Sequence, residues 1–193
     1  MAVRALVATL LLLSAAAAHA HQSAGVASGF SSGFAHPLLG WDHVAAMVAV
    51  GLWGAFLKAP ALWLLPVVFP LVMAFGGALG VVGVALPGVE VGIAASALVL
   101  GAMVLLAVRP PLWVSATLVG VFAIFHGHAH GTELPAATSP LAYSLGFVLS
   151  TGLLHLGGIA FGLLTRWRFG QVLVRAGGAV IALAGALFLI RAV

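Results

Sequence analysis

The sequence predicts an all-α membrane protein, a bundle of six transmembrane helices that follows a cleaved signal peptide. Hydrophobic residues make up 64% of the 193-residue chain and charged residues only 5%, a composition far from that of ordinary soluble domains. The mean hydropathy of +1.28 agrees with this. Apolar stretches of about 20 residues, long enough to cross a bilayer, recur between short polar breaks.

The N-terminus has the parts of a secretory signal peptide, which we place at residues 1–20. Arg4 is the positively charged region, residues 5–18 are apolar, and Ala-His-Ala at 18–20 fits a cleavage site. Cleavage makes His21 the first mature residue. Its imidazole and new amine could bind a metal weakly, although an incidental N-terminus is the more common case.

Residues 21–193 are predicted to form a single transmembrane domain. Its spans are 37–57, 61–84, 89–108, 112–131, 141–163 and 172–190, and the short breaks between them indicate neighbouring antiparallel helices. The Ser- and Gly-rich segment 22–35 is predicted to be irregular. Glycines inside the second and fifth spans predict close helix packing: Gly76, Gly77, Gly80, Gly83, Gly157, Gly158 and Gly162.

Charge distribution predicts the orientation. With both mature termini in the periplasm, Glu90 and Glu133 lie outside, and most basic residues outside the signal lie at cytoplasmic ends: Lys58, Arg109, Arg166, Arg168 and Arg175. We therefore expect a multi-pass protein of the bacterial inner membrane. The scattered basic residues form no patch for nucleic acid, so the lipid bilayer is the expected large partner.

Two polar clusters interrupt the apolar sequence. The stretches 36–43 (HPLLGWDH) and 125–133 (FHGHAHGTE) contain five of the eight histidines and two of the three acids. Ionisable groups at membrane depth are costly and usually mark a substrate or ion site. Imidazole and carboxylate suit divalent transition metals, and the absence of cysteine excludes thiolate ligands.

The predicted topology brings both clusters to the outer side. A rise of about 1.5 Å per residue places His43 ~9 Å inside the first span and His126 ~8 Å inside the fourth. His36, beside Pro37 at the helix start as N-cap or lead-in, shares a face with His43 on an ideal helix. Asp42 points about 100° away, as a lateral ligand or as a partner that fixes an imidazole tautomer.

The remaining candidates follow from helical spacing. His126 and His130 share a face, which Glu133 can join. His128 points elsewhere unless the adjacent glycines unwind the helix. Met47 lies one turn below His43, and His155 lies ~20 Å into the fifth span. Together they could form a second station for the ion, and core packing is the alternative for both.

The two motifs resemble those of the HupE/UreJ family, accessory membrane proteins of hydrogenase and urease gene clusters. The pattern HPLxGxDHxxxM lies at 36–47 and FHGxAHGxE at 125–133. The resemblance covers essentially the whole mature chain. The first motif is also similar to the HxxxxDH signature of larger nickel/cobalt transporters, with one extra residue. The resemblance implies these metal-handling positions: His36, Asp42, His43, His126, His130 and Glu133.

The resulting hypothesis is an uptake permease for a divalent metal that supplies hydrogenase or urease maturation. The family is regarded as transporting nickel or nickel and cobalt, so Ni²⁺ is the expected substrate, with Co²⁺, Zn²⁺ and Cu²⁺ also compatible with the ligands. We expect no enzymatic activity and no prosthetic group, and a cytoplasmic nickel chaperone is a candidate partner. The sequence has no nucleotide-binding motif, so transport would be passive, gradient-driven or dependent on another protein.

The sequence is compatible with two other functions. An intramembrane zinc hydrolase could use the same cluster, with Glu133 or Asp42 as general acid and base. Haem ligation by His43 and His155 is disfavoured because their estimated depths differ by about 11 Å.

Overall fold

The computed structural model describes residues 26–133 and 139–193, and their regular structure is helical. The signal peptide and His21 lie outside the described residues. The α-helices are α1 (Val26–Leu39), α2 (Trp41–Leu57), α3 (Ala61–Val81), α4 (Val89–Leu105), α5 (Leu112–Thr132), α6 (Pro140–Gly162) and α7 (Arg168–Ala192). A short 3₁₀ helix, Leu163–Arg166, joins α6 to α7.

The helical fold class is confirmed, and α2 to α7 match the six expected spans in order. Within the described ranges, the helices α3, α5, α6 with its 3₁₀ extension, and α7 are long and apolar enough to cross a membrane. The bent pair α1–α2 qualifies as a fifth span, whereas α4 has only 17 residues. The six-span count, the orientation and the signal peptide therefore remain predictions.

The first expected span is wrong as one straight helix over 37–57. The chain bends by 82° between α1 and α2, because Gly40 adopts an extended backbone with φ −92° and ψ 107°. Pro37 lies late in α1 instead of at a helix start. His36 consequently belongs to the last turn of α1, and the argument that it shares one helical face with His43 fails.

The expected irregular lead is also wrong over its described part, 26–35, which is helical. Gly33 lies directly against the Tyr143 backbone of α6, and Gly146 lies against the Phe30 backbone in return. This contact between two helix backbones stabilises α1 although serine and glycine favour helices weakly.

Helix α2 lies at the centre of the bundle. It contacts α1, α3, α4, α6 and α7, while α3 packs closely on α5 and α4 on α7. A helix that is apolar on all sides is expected in such a position. Its buried residues include Ala46, Met47, Ala49, Val50, Leu52 and Trp53.

Most of the predicted packing glycines are confirmed. A Cβ at Gly76 would overlap the Ile124 backbone and one at Gly158 the Val48 backbone, with similarly close contacts at Gly80 and Gly162. The interpretation is wrong for Gly83 and Gly157, where a Cβ would meet no other atom of the described chain within 4 Å.

Candidate metal centre

The outer rim of the centre joins the end of α1 to the end of α5. His36 Nε2 lies 3.6 Å from Glu133 Oε2, and both side chains are partly exposed, by 37% and 56%. One ligand atom each from His36, His130 and Glu133 lie within 4.8 Å of one another. Two atoms bound to one ion through bonds of about 2.1 Å are at most about 4.2 Å apart. The His36–Glu133 spacing therefore already suits a shared cation.

A row of imidazoles leads inward from this rim. The His36 and His130 ring centroids are 4.9 Å apart, those of His130 and His43 are 4.4 Å apart, and those of His43 and His126 are 4.7 Å apart. His36 is partly exposed, His130 and His43 are buried to a similar degree, and His126 is fully buried. We call these residues the histidine row: His36, His130, His43 and His126.

Asp42 orients the ring of His43. Its Oδ1 accepts a hydrogen bond from the His43 backbone N–H at 2.8 Å and lies 3.0 Å from His43 Nδ1. An ionised carboxylate only accepts hydrogen bonds, so Nδ1 carries the proton and Nε2 keeps its lone pair. Nε2 is buried and finds no hydrogen-bond partner within the described chain. Of the two roles considered for Asp42, the geometry matches that of a tautomer-fixing partner.

Ser96 of α4 does the same for His126. Its hydroxyl donates to the Ile93 carbonyl at 2.6 Å, so its oxygen accepts from His126 Nε2–H at 2.9 Å. The lone pair of His126 is thereby assigned to Nδ1, which has no hydrogen bond to any described residue. Ser96 was not among the predicted site residues. The only sequence signal for Ser96 is that a hydroxyl-bearing residue lies inside an apolar span.

A cavity of about 360 Å³ opens onto the row. It is lined by Asp42, Glu90 and Glu133, together with His36 and His43. The three carboxylates are the only Asp and Glu residues of the sequence. Acidic groups in a cleft raise the local concentration of cations. The predicted topology had placed Glu90 outside but had not assigned it to the site.

Comparison with known proteins identifies the family of the chain. The family profile described as HupE / UreJ protein matches residues 8–188. The chain belongs to the HupE/UreJ family. It is 45% identical to protein HupE of Rhizobium leguminosarum bv. viciae over an alignment of 173 residues, and this alignment covers 90% of each chain. No solved structure matches the chain significantly.

Membership confirms the resemblance drawn from the two motifs. HupE/UreJ is an accessory and transport family, and this does not favour the zinc-hydrolase alternative. In the structure the first motif spans the α1–α2 bend, and the second forms the end of α5. The bend lets both His36 and His43 of the first motif reach the second.

The less certain candidates His128, Met47 and His155 have the following surroundings. His128 Nε2 donates to the Val84 carbonyl at 2.7 Å, in the segment after α3. Met47 is fully buried in the apolar core. His155 is buried on α6, where its ring contacts Phe69.

Proposed function

We propose that this HupE/UreJ protein is a permease that takes up a divalent transition metal, nickel first of all, across the bacterial inner membrane. The delivered ion would serve hydrogenase or urease maturation. The observation that carries the proposal is the histidine row. It runs from an acid-lined cavity into the protein, and its inner members hold buried nitrogen lone pairs that lack hydrogen-bond partners in the described chain.

Capture begins at the rim of the cavity. The carboxylates Asp42, Glu90 and Glu133 attract the hydrated cation and offset its charge as water leaves. His36 and Glu133 are spaced to replace two of those waters on one ion. Imidazole nitrogen and carboxylate oxygen are suitable ligands for Ni²⁺, and also for Co²⁺, Zn²⁺ and Cu²⁺.

Transfer inward depends on His130. Its ring touches both His36 and His43, and neither of its nitrogens has a hydrogen-bond partner among the residues described. No neighbour therefore fixes the tautomer of His130, whereas Asp42 and Ser96 fix those of His43 and His126. His130 can present a lone pair to the outer ligands or to the inner pair without breaking a hydrogen bond.

Release requires that no position hold the ion too tightly. A structural metal site is closed by four protein ligands. Here, by contrast, the outer ligands and the inner pair of histidines have His130 in common. Binding also requires neutral imidazoles, because a protonated ring nitrogen has no lone pair to offer the metal. An ion leaving on the cytoplasmic side would pass to a chaperone.

Uptake of radioactive nickel by cells tests this function. His43→Ala and His126→Ala remove the inner ligands, and we expect the initial uptake rate to fall about 10- to 100-fold. His128→Ala is the matched control, because this histidine lies on the same helix and bonds to the Val84 carbonyl outside the row. Immunoblots should show equal amounts in the membrane. Wild-type uptake by both inner variants would overturn the proposal.

A further inference from the structure

A buried imidazole lies beyond the histidine row. His155 of α6 is only 1% exposed, and its two ring nitrogens make no hydrogen bond to the described residues. Thr151 lies one turn earlier on the same face of α6. It is fully buried, and its hydroxyl likewise lacks a partner in the part of the chain that is described. Buried polar groups normally have partners, so this pair needs an explanation.

A backbone carbonyl faces the same position. In an α-helix the carbonyl of residue 66 accepts from the N–H of residue 70, but Pro70 has no N–H to donate. The Pro66 carbonyl of α3 is thus deprived of its regular donor. The Pro66 backbone lies against the His155 ring, although the contact falls short of a well-formed hydrogen bond.

The Phe69 ring contacts both this position and the histidine row. Its centroid is 5.5 Å from the ring centroid of His126 and 5.5 Å from that of His155. The centroids of the two imidazoles are therefore no farther apart than twice this distance. Phe69 is fully buried, so a fixed apolar ring adjoins both imidazoles.

We propose that His155, the Pro66 carbonyl and the Thr151 hydroxyl form a second, deeper station for the same divalent cation. The Phe69 ring is the barrier between the two stations. The inference rests on the proposed uptake function, whose path it extends. The three ligands are all neutral, so this station binds the ion more weakly than the acid-lined cavity. Conduction requires such weaker binding on the way out.

Binding to the purified full-length protein tests the station directly. Equilibrium dialysis with radioactive nickel should detect a deeper bound ion in the wild type that His155→Leu loses, while the affinity of the outer centre stays unchanged. Leucine fills a similar volume without leaving a polar group unpaired, so we expect this variant to fold.

A proline variant tests the carbonyl without altering His155. Pro70→Ala returns an N–H to the Pro66 carbonyl and should weaken the deeper ion about tenfold, equivalent to roughly 1.4 kcal/mol of binding free energy. The outer centre of the same variant is the internal control and should bind nickel with unchanged affinity. If Pro70→Ala holds the deeper ion as tightly as the wild type, the carbonyl does not belong to the station.

Flux into proteoliposomes tests the path and separates the two proposals. His155→Leu should slow nickel entry about tenfold, and Phe69→Ala should accelerate it. Phe161→Ala removes a phenyl ring that lies elsewhere, against Gly177 of α7. This control variant should leave flux unchanged. If Phe69→Ala transports nickel at the wild-type rate or more slowly, the Phe69 ring is not a barrier.

The same flux measurement separates the two proposals. If the wild type transports nickel and His155→Leu equals it in flux and bound metal, His155 is a packing residue and the proposed uptake function still stands. A wild type without nickel flux overturns both proposals.

Discussion

At the scale of single residues, hydrogen bonds to the far side of two imidazoles, His43 and His126, determine which of their nitrogens faces the ion. Asp42 assigns the proton of His43, and Ser96 assigns that of His126. The role of Asp42 was within reach of sequence reasoning because it adjoins His43. Ser96 was not, because it lies 30 residues from His126 on another helix.

Ser96→Ala is expected to weaken nickel binding about 10- to 100-fold, as losses of such orienting partners usually do. Without the hydroxyl, His126 can turn or adopt the other tautomer, and its Nδ1 lone pair is no longer held in place. Equilibrium dialysis with purified protein measures the effect.

Ser115→Ala is the control for that measurement. Ser115 is equally buried, but its hydroxyl donates to the Pro111 carbonyl at the start of α5. This variant should bind nickel like the wild type. If Ser96→Ala also binds nickel normally, the orienting role of Ser96 is wrong.

At the scale of helices, close backbone contact between α3 and α5 sets the position of His126 and His130. Gly127 lies between these histidines and against the Met73 carbonyl of α3, and Gly131 lies against Gly77. Sequence spacing correctly indicated that the glycines of α3 serve packing. It did not indicate their partner, because small residues allow close approach to any neighbouring helix.

Gly127→Ala should force α5 away from α3, since the new methyl would overlap the Met73 carbonyl. We expect a loss of about 1–3 kcal/mol of stability, typical of overpacking, and reduced nickel uptake because both histidines move. Thermal unfolding in detergent and cellular uptake are the measurements.

Gly120→Ala provides the comparison on the same helix. A Cβ at this position would come no closer than 3.8 Å to the nearest side chain, Val72. The variant should match the wild type in stability and uptake. Similar behaviour of both alanine variants would contradict the packing argument.

At the scale of the whole molecule, charge is separated between the two ends of the bundle. All three acids line the cavity beside the histidine row, whereas most of the described basic residues lie toward the opposite end. Arg191, which lines a pocket with Trp41 at the start of α2, is the exception. Arg109 lies 4.7 Å from the centroid of the Phe56 ring, and Arg175 Nε donates to the Leu105 carbonyl at 2.8 Å. The orientation predicted by the positive-inside rule would place this basic end in the cytoplasm.

Cysteine labelling tests that orientation cleanly, because the natural chain has no cysteine. Pro87→Cys lies in the segment between α3 and α4, which we expect outside, and should react with a membrane-impermeant maleimide in spheroplasts. Phe169→Cys, at a position 86% exposed at the start of α7, should react only after permeabilisation. The reverse pattern would invert the topology and place the acid-lined cavity on the cytoplasmic side.

The amino-acid sequence was sufficient for the helical class, the order of α2 to α7, the convergence of the two motifs and the family. These properties follow from hydropathy, helical period and motif identity, which are all local in the chain. Tertiary contacts alone decided the helical state of α1, its 82° bend from α2, the contributions of Glu90 and Ser96, and the contact of Phe69 with two imidazoles. Each depends on which distant helix lies alongside, and backbone packing between helices, instead of local propensity, determines that.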